Sequence, residues 1–381
     1  MFKKITISFL IWRVALFLVA FLSIYFLPKF GARFPYVDWV LEITHLPNWI
    51  WGFGNFDGVH YLRIAQDGYL AQYSQAFFPL FPILIRLFSY IFPRVPNLVT
   101  ILYTDPAYFY SGLILSNLFF LGAIVVFYKL IKFEFNESIA KWSLLSLLVF
   151  PTSYYFGAIY PESLFLLLAV SGVYLIRKKK YFLSSLLIAL ATATKLLGVF
   201  LIAIYLIEIF KEKNWKRLIF LPIMFLGIGF YIYYLKVVFG NPLYFLTSQP
   251  VFGAGRLVGG VVLLPQVIYR YLKMFVTVKT FSLTFFNAAL EFVFTLVPLT
   301  LLLLFVKKMR FSYWFFSICT LLVPTLTGTF SSIPRYALVS IFLLLPYLVT
   351  PYKKYLKVLI PASIILGIIL EALFIRGYWV A

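Results

Sequence analysis

Apolar runs of about 20 residues recur along this chain from end to end, each long enough for a helix to cross the hydrocarbon of a bilayer. Short basic clusters separate them: Lys3–Lys4, Lys129/Lys132/Lys141, "RKKK" at 177–180, "KEKNWKR" at 211–217, "KKMR" at 307–310 and "PYKKYLK" at 351–357. In lipid every backbone polar group must find its partner inside the segment, so a chain built this way is confined to helices or a closed barrel. Continuous runs, not alternating ones, select helices. An all-α polytopic membrane protein is expected. Composition agrees, with only 12% of the 381 residues charged where a soluble domain carries about 25%.

The formal charge of +21 does not point to nucleic acid, because the basic residues sit between apolar runs as cytoplasmic loops do under the positive-inside rule. Six clusters hold nineteen of the 33 lysines and arginines. Placing all six in the cytoplasm gives about 11 transmembrane helices. These lie near 5–27, 108–131, 141–157, 161–176, two short spans within 181–210 that meet near "ATKLLG", then 218–236, 283–306, 311–329, 333–350 and 358–375. The N-terminus is then cytoplasmic. "MFKK" before the first apolar run reads as the start of an uncleaved span, since no small-residue cleavage site follows. The plasma membrane is the expected location.

One domain, 1–381, is expected, with a first extracytoplasmic loop at 28–106 and a second extracytoplasmic segment at 237–282. The stretch "FFPLFPILIRLFSYIFP" (77–93) approaches the composition of a span. Counting it would put "RKKK" outside, and its prolines and Arg86 suit a helix lying in the interface. The lone Cys319 excludes an intrachain disulfide, and no Cys/His cluster offers a zinc site.

The twelve acidic residues and two histidines narrow the chemistry. Glu134, Glu137, Glu208 and Glu212 fall beside cytoplasmic lysines and read as solvated loop charges. The outer side keeps Asp38, Glu42, Asp57, Asp67, Asp105 and Glu162, with Glu291 and Glu371 near span ends. In "GNFDGVHYLRIAQDGY" (54–69), Asp57 is placed to cap or open a helix. His60 and Tyr61 follow at i+3 and i+4, so carboxylate, imidazole and phenol share one face. Asp67–Gly68 reads as a helix end. Glu162, after Tyr160–Pro161, stands at the mouth of a span, where an acid serves the helix dipole or a substrate. Lys195 lies at the tip of the 181–210 hairpin, and Arg335, beside Tyr336, opens a span on the same side. Cations so placed read as partners for an anion, and a lipid phosphate suits both.

"FDGVHYLRIAQDGY…AFFPLFP" resembles the first-loop signature of the PIG-V family of mannosyltransferases, which add the second mannose in GPI-anchor synthesis. "YPESLF", "ATKLLG", "GNPLYF" and "IPRYAL" are similar to further motifs of that family in the same order. Phe56 replaces a usual tryptophan, Lys195 a common arginine, and Gln72 or Gln75 an acid. The resemblance implies a GT-C-type glycosyltransferase fold whose helical first loop carries the catalytic acid, here Asp57. It implies a polyprenyl-phosphate sugar as donor and a glycan or glycolipid as acceptor, within membrane lipids and with no nucleic acid.

The expected reaction moves a hexose, mannose foremost, to an acceptor hydroxyl on the extracytoplasmic face with inversion. Asp57 would be the general base, Lys195 and Arg335 the donor phosphate ligands, and His60, Tyr61, Tyr160, Glu162 and Tyr336 the substrate contacts. No glycine-rich phosphate loop or Asp-x-Asp pair is present, so a nucleotide sugar is not expected. Neither is a cofactor or obligatory metal, Asp57 with Glu162 being the one pair that offers a weak divalent site. Two other classes stay open: a transporter or flippase of lipid-linked sugars, and a non-catalytic subunit of a glycan assembly complex.

Overall fold

The computed structural model describes residues 2–31, 37–95, 103–253, 255–257 and 260–380. These residues fold into helices joined by short turns, with no strand among them. Among the described residues five helical stretches are long and apolar enough to cross a membrane: Phe2–Phe26, Pro106–Glu134, Trp215–Phe239, Leu283–Phe305 and Leu345–Ile375. The protein is a polytopic membrane protein.

The long helices start where side chains can satisfy the free N–H groups of a first turn. Asp105 accepts from the Ala107 N–H at 2.8 Å, with Pro106 as first helical residue. Ser282 accepts from Phe285 N–H at 3.1 Å to open Leu283–Phe305. Asn136 does the same for Glu137–Leu148 through the Ile139 N–H at 3.0 Å.

The 181–210 segment breaks where its two basic flanks require. Helix Tyr181–Thr194 ends at Lys195, whose backbone is extended (φ −153°, ψ 145°), and Val199–Glu212 returns. The return is tight: a Cβ on Gly198 would lie 2.6 Å from the Ala191 carbonyl, so only glycine fits there. The 77–93 stretch forms one ten-residue helix, Leu80–Ser89. At 1.5 Å per residue it is roughly 15 Å long, half of a hydrocarbon core of about 30 Å. It packs on Asp57–Asp67 and Pro106–Glu134 and exposes Ile83 and Leu87.

Charged residues gather at both ends of the bundle, marked by the two ends of helix Glu162–Arg177. At the Arg177 end lies a correction to the sequence reading. Glu208 is no solvated loop charge but 2% exposed, held by Arg310 at 2.9 Å and by Ser312 Oγ at 2.6 Å, with Arg177 at 3.5 Å. Glu134 pairs with Arg177 and accepts from Tyr313 Oη at 2.6 Å. Glu212 accepts from Tyr181 Oη, also at 2.6 Å. Only Glu137, between Lys132 and Lys141, behaves as expected of a surface charge. The core between the two ends is aromatic, with Trp12, Phe120 and Phe156 stacked at centroid distances of 4.6 and 4.5 Å. Lipid tails are as apolar as leucine, so such fitted contacts, not exclusion from water, hold helices together in a bilayer.

Candidate active site

At the Glu162 end the loop "WGFGNFDG" (51–58) delivers Asp57 to the mouth of a cavity. A Cβ on Gly52 would meet the Ile375 carbonyl oxygen at 2.9 Å, so the loop can press against the last helix only with glycine there. Asn55, fully buried, donates from Nδ2 to the carbonyls of Phe374 and Ile375 at 2.8 and 3.1 Å. Phe56 then adopts φ 58°, ψ −115°, a conformation that costs a non-glycine residue about 1–3 kcal/mol. Its ring rests on Phe374 and edge-on against Trp379, at 5.7 and 5.1 Å. That strained residue turns the chain into helix Asp57–Asp67, with Asp57 as the first helical residue.

The Asp57 carboxylate pairs with Arg335 Nη1, at the start of helix Ile333–Ile341. Arg335 Nε lies 3.5 Å from Glu162 Oε1, which Lys195 Nζ approaches to 2.6 Å. Two acids and two cations thus alternate: Asp57, Arg335, Glu162, Lys195. The cation between the two carboxylates is the Arg335 guanidinium itself. Among the described residues no group of three or more His, Cys, Asp or Glu is placed to hold a metal.

The chain is incompletely satisfied. Glu162 Oε2 and Arg335 Nε are buried without a hydrogen-bond partner. Burial alone would push the Asp57 carboxyl up. The Arg335 guanidinium, helped by His60 and Arg256, outweighs it and holds the group below its ordinary 3.8. His60 moves down, because burial disfavours the imidazolium more than Asp57 favours it. It is therefore neutral near pH 7, stacked on Phe77 at 4.8 Å. Burial, with Glu162 and Asp57 nearby, pushes the Tyr61 phenol well above 10, so it keeps its proton.

The cavity has a volume of about 820 Å³, at the upper end of ligand pockets, roughly 300–1,000 Å³. Asp57, His60, Tyr61, Glu162, Lys195, Arg335 and Tyr336 all line it. Tyr160 does not. Its hydroxyl is used inside the protein, accepting from the Asp57 N–H at 3.1 Å and donating to the Asn55 carbonyl at 2.9 Å. It fixes the loop from behind.

Three further lining residues, Arg256, Arg270 and Tyr271, escaped the sequence reading, and Glu291, read there only as an acid near a span end, lines the cavity too. Arg256 Nη2 donates to Ser332 Oγ at 3.1 Å, and Arg270 to the Gly328 carbonyl. Among the described residues neither arginine has an acid within ion-pair distance. Glu291 accepts from Tyr271 Oη. The available signals were weak: an arginine within glycine-rich "FGAGRLVGG" and an acid inside an apolar run.

Residues 42–219 match the family model described as Mannosyltransferase (PIG-V). Two curated proteins bearing the name GPI mannosyltransferase 2 are similar to part of the chain. That of Drosophila pseudoobscura pseudoobscura is 28% identical over 141 residues, 36% of this chain and 29% of that protein. That of Cryptococcus neoformans var. neoformans serotype D is 32% identical over 148 residues, 38% of this chain and 34% of that protein. The match therefore spans about a third of the length of these relatives. No solved structure matches. Asp57, His60, Tyr61, Tyr160, Glu162 and Lys195 fall inside 42–219, whereas Arg256, Glu291 and Arg335 come after it. Over residues 42–219 the chain is thus similar to the mannosyltransferases of the PIG-V family.

Proposed function

We propose that this protein transfers mannose from a polyprenyl-phosphate carrier to a hydroxyl of a glycan or glycolipid acceptor, inverting the anomeric carbon, on the extracytoplasmic face. The observation that carries the reading is the Asp57–Arg335 pair on the wall of a cavity that also gathers Lys195, Arg256 and Arg270. A base beside surplus positive charge suits attack on a carbon whose leaving group is a phosphate.

In the proposed step the acceptor oxygen bonds to the anomeric carbon as that carbon's bond to the phosphate oxygen breaks. The acceptor proton passes to the Asp57 carboxylate, and the lipid phosphate leaves with the bonding pair. Positioned guanidinium and ammonium groups stabilise the charge gathering on it. Lys195 and Arg335 are already opposed by Glu162 and Asp57. Arg256 and Arg270 add charge that no ion pair among the described residues offsets, so the phosphate is shared among the four. An incoming phosphate competes for Arg335, and Asp57 is relieved of its partner. The carboxylate, a poor base while paired, becomes more basic when the donor arrives. Neutral His60, protonated Tyr61 and the Tyr336 hydroxyl supply hydrogen bonds to the sugars.

The test is the purified protein in nanodiscs with radiolabelled polyprenyl-phosphate mannose and a panel of glycan and glycolipid acceptors. Label should move to an acceptor with release of polyprenyl phosphate. Labelled lipid that crosses the bilayer of sealed vesicles without being consumed would establish a flippase and overturn the proposal.

A further inference from the structure

The cavity has a second polar wall that the step above leaves unused. Thr284, Asn287, Ala288 and Glu291 line it from helix Leu283–Phe305. Their spacing of i, i+3, i+4 and i+7 puts them on one helical face. Asn287 Nδ2 donates to the Trp379 carbonyl at 2.7 Å. That bond fixes the amide, because a carbonyl needs a donor, and Asn287 Oδ1 is left buried without a hydrogen-bond partner. Glu291 Oε2 accepts from Tyr271 Oη. The phenol oxygen is held in place by the Phe330 N–H, which donates to it at 3.0 Å, and by Thr329 Oγ1 at 3.2 Å. Among the described residues Glu291 Oε1 receives no hydrogen bond. Trp379 lines the cavity alongside.

A buried polar atom without a partner calls for an explanation, and Asn287 Oδ1 is one. It shares a character with Glu291 Oε1: among the described residues both are acceptors that receive no hydrogen bond, on one cavity-lining face. A carboxylate repels phosphate, so this wall is not a second anion site. What it lacks is donors that carry no charge, presented in pairs. Sugar hydroxyls have that chemistry.

We propose that Asn287 and Glu291 form a subsite that accepts hydrogen bonds from the hydroxyls of a sugar ring. The inference rests on the glycosyltransferase reading and assigns it specificity residues outside the matched segment. The ring has two sources, the hexosyl group of the donor and the sugar of the acceptor. Sites built to bond a hydroxyl reject analogues that lack it far more strongly than apolar pockets reject an extra group.

Two variants test it. Glu291→Gln keeps the size and the bond from Tyr271 but turns an amide donor toward the cavity. Asn287→Ala removes Oδ1 and leaves the Tyr271–Glu291 bond intact. Melting temperature in detergent controls for folding, so that if one variant fails to fold the other still decides. In the donor arm, binding of polyprenyl-phosphate mannose is compared with that of polyprenyl phosphate. The unaltered protein should prefer the sugar-bearing lipid, and the variants should lose about tenfold of that preference. In the acceptor arm, the KM for acceptor should rise by a similar factor with kcat little changed. A shift in either arm identifies the source. If transfer and the preference for sugar-bearing lipid persist unchanged in both variants, the subsite is refuted while the proposed function stands. If the unaltered protein shows neither transfer nor preference, the proposed function falls and this inference with it.

Discussion

The two charged clusters sit at opposite ends of one helix, with Glu162 at its start and Arg177 at its close, and they are built to opposite ends. Around Glu208 both carboxylate oxygens are engaged, by Arg310 at 3.2 and 2.9 Å and by Ser312, and the network faces packed helices. Around Arg335 the same residue types leave Glu162 Oε2 and Arg335 Nε without hydrogen bonds and border a cavity of about 820 Å³. A closed ionic network ties together chain segments more than a hundred residues apart. An open one holds charge ready for something that is not protein. Buried charges alone do not distinguish function from structure; the unmet bonds do.

The comparison is tested most severely at Asp57. Asp57→Asn keeps the size and loses the base, and should slow turnover by at least about a hundredfold while the protein stays folded and binds donor. His60→Ala should cost less, since burial weakens the imidazole as a base and its stacking on Phe77 suits it to orient substrate. Near-normal transfer by Asp57→Asn would move the base to Glu162. At the other end, Glu208→Ala should leave Arg177 and Arg310 without their carboxylate and cost about 3 kcal/mol of stability. Thermal or denaturant unfolding in detergent checks this, with turnover per folded molecule unchanged. A fall in turnover without loss of stability would erase the distinction between the clusters.

Arg335→Lys sharpens it further. The guanidinium spans Asp57 through Nη1 and Glu162 through Nε, which a point charge cannot do. We expect about a tenfold loss in kcat/KM for the lipid donor, with Lys195→Met showing a smaller loss, both measured at saturating acceptor.

The smallest effect is on pH. Asp57 is held below 3.8, so its ion pair stabilises the fold above that value, and the contribution is lost as pH falls through the lower folded value. His60 is also shifted down from 6.5. The unfolded chain takes up a proton there before the folded protein does, so stability declines as pH falls below about 6.5. The kcat/KM for transfer, which reports the free enzyme, should therefore stay flat down to about pH 5, while the melting temperature declines gently from about pH 6.5. An acid limb in kcat/KM centred near pH 6 would mean that a group other than Asp57 is the base.

How much of this was legible in the sequence varies with the distance over which each feature is decided. The break at Lys195 was legible, because basic flanks 30 residues apart oblige the chain to return. The Leu80–Ser89 helix was legible for the same reason, and so was the face shared by Asp57, His60 and Tyr61, which a helical period sets. The row of Asp57, Arg335, Glu162 and Lys195 was legible as members but not as pairs. Glu208 was misread, since adjacent lysines suggest solvent and nothing local announces Arg310, 102 residues on. Arg256 and Glu291 acquire meaning only from the cavity, which is a property of packing and not of any segment.

The anchoring of the Asp57 loop carries a consequence for how the protein comes into being. Asn55 is fastened to the carbonyls of Phe374 and Ile375, 319 and 320 residues further along, and the strained Phe56 leans on Phe374 and Trp379. A ribosome releases this loop well before the residues that hold it. At about 5–20 residues per second the interval is of the order of half a minute. Through that interval the chain has Asp57 but not the geometry that aims it. On the proposed mechanism, transfer therefore waits until helix Leu356–Ile375 has been made.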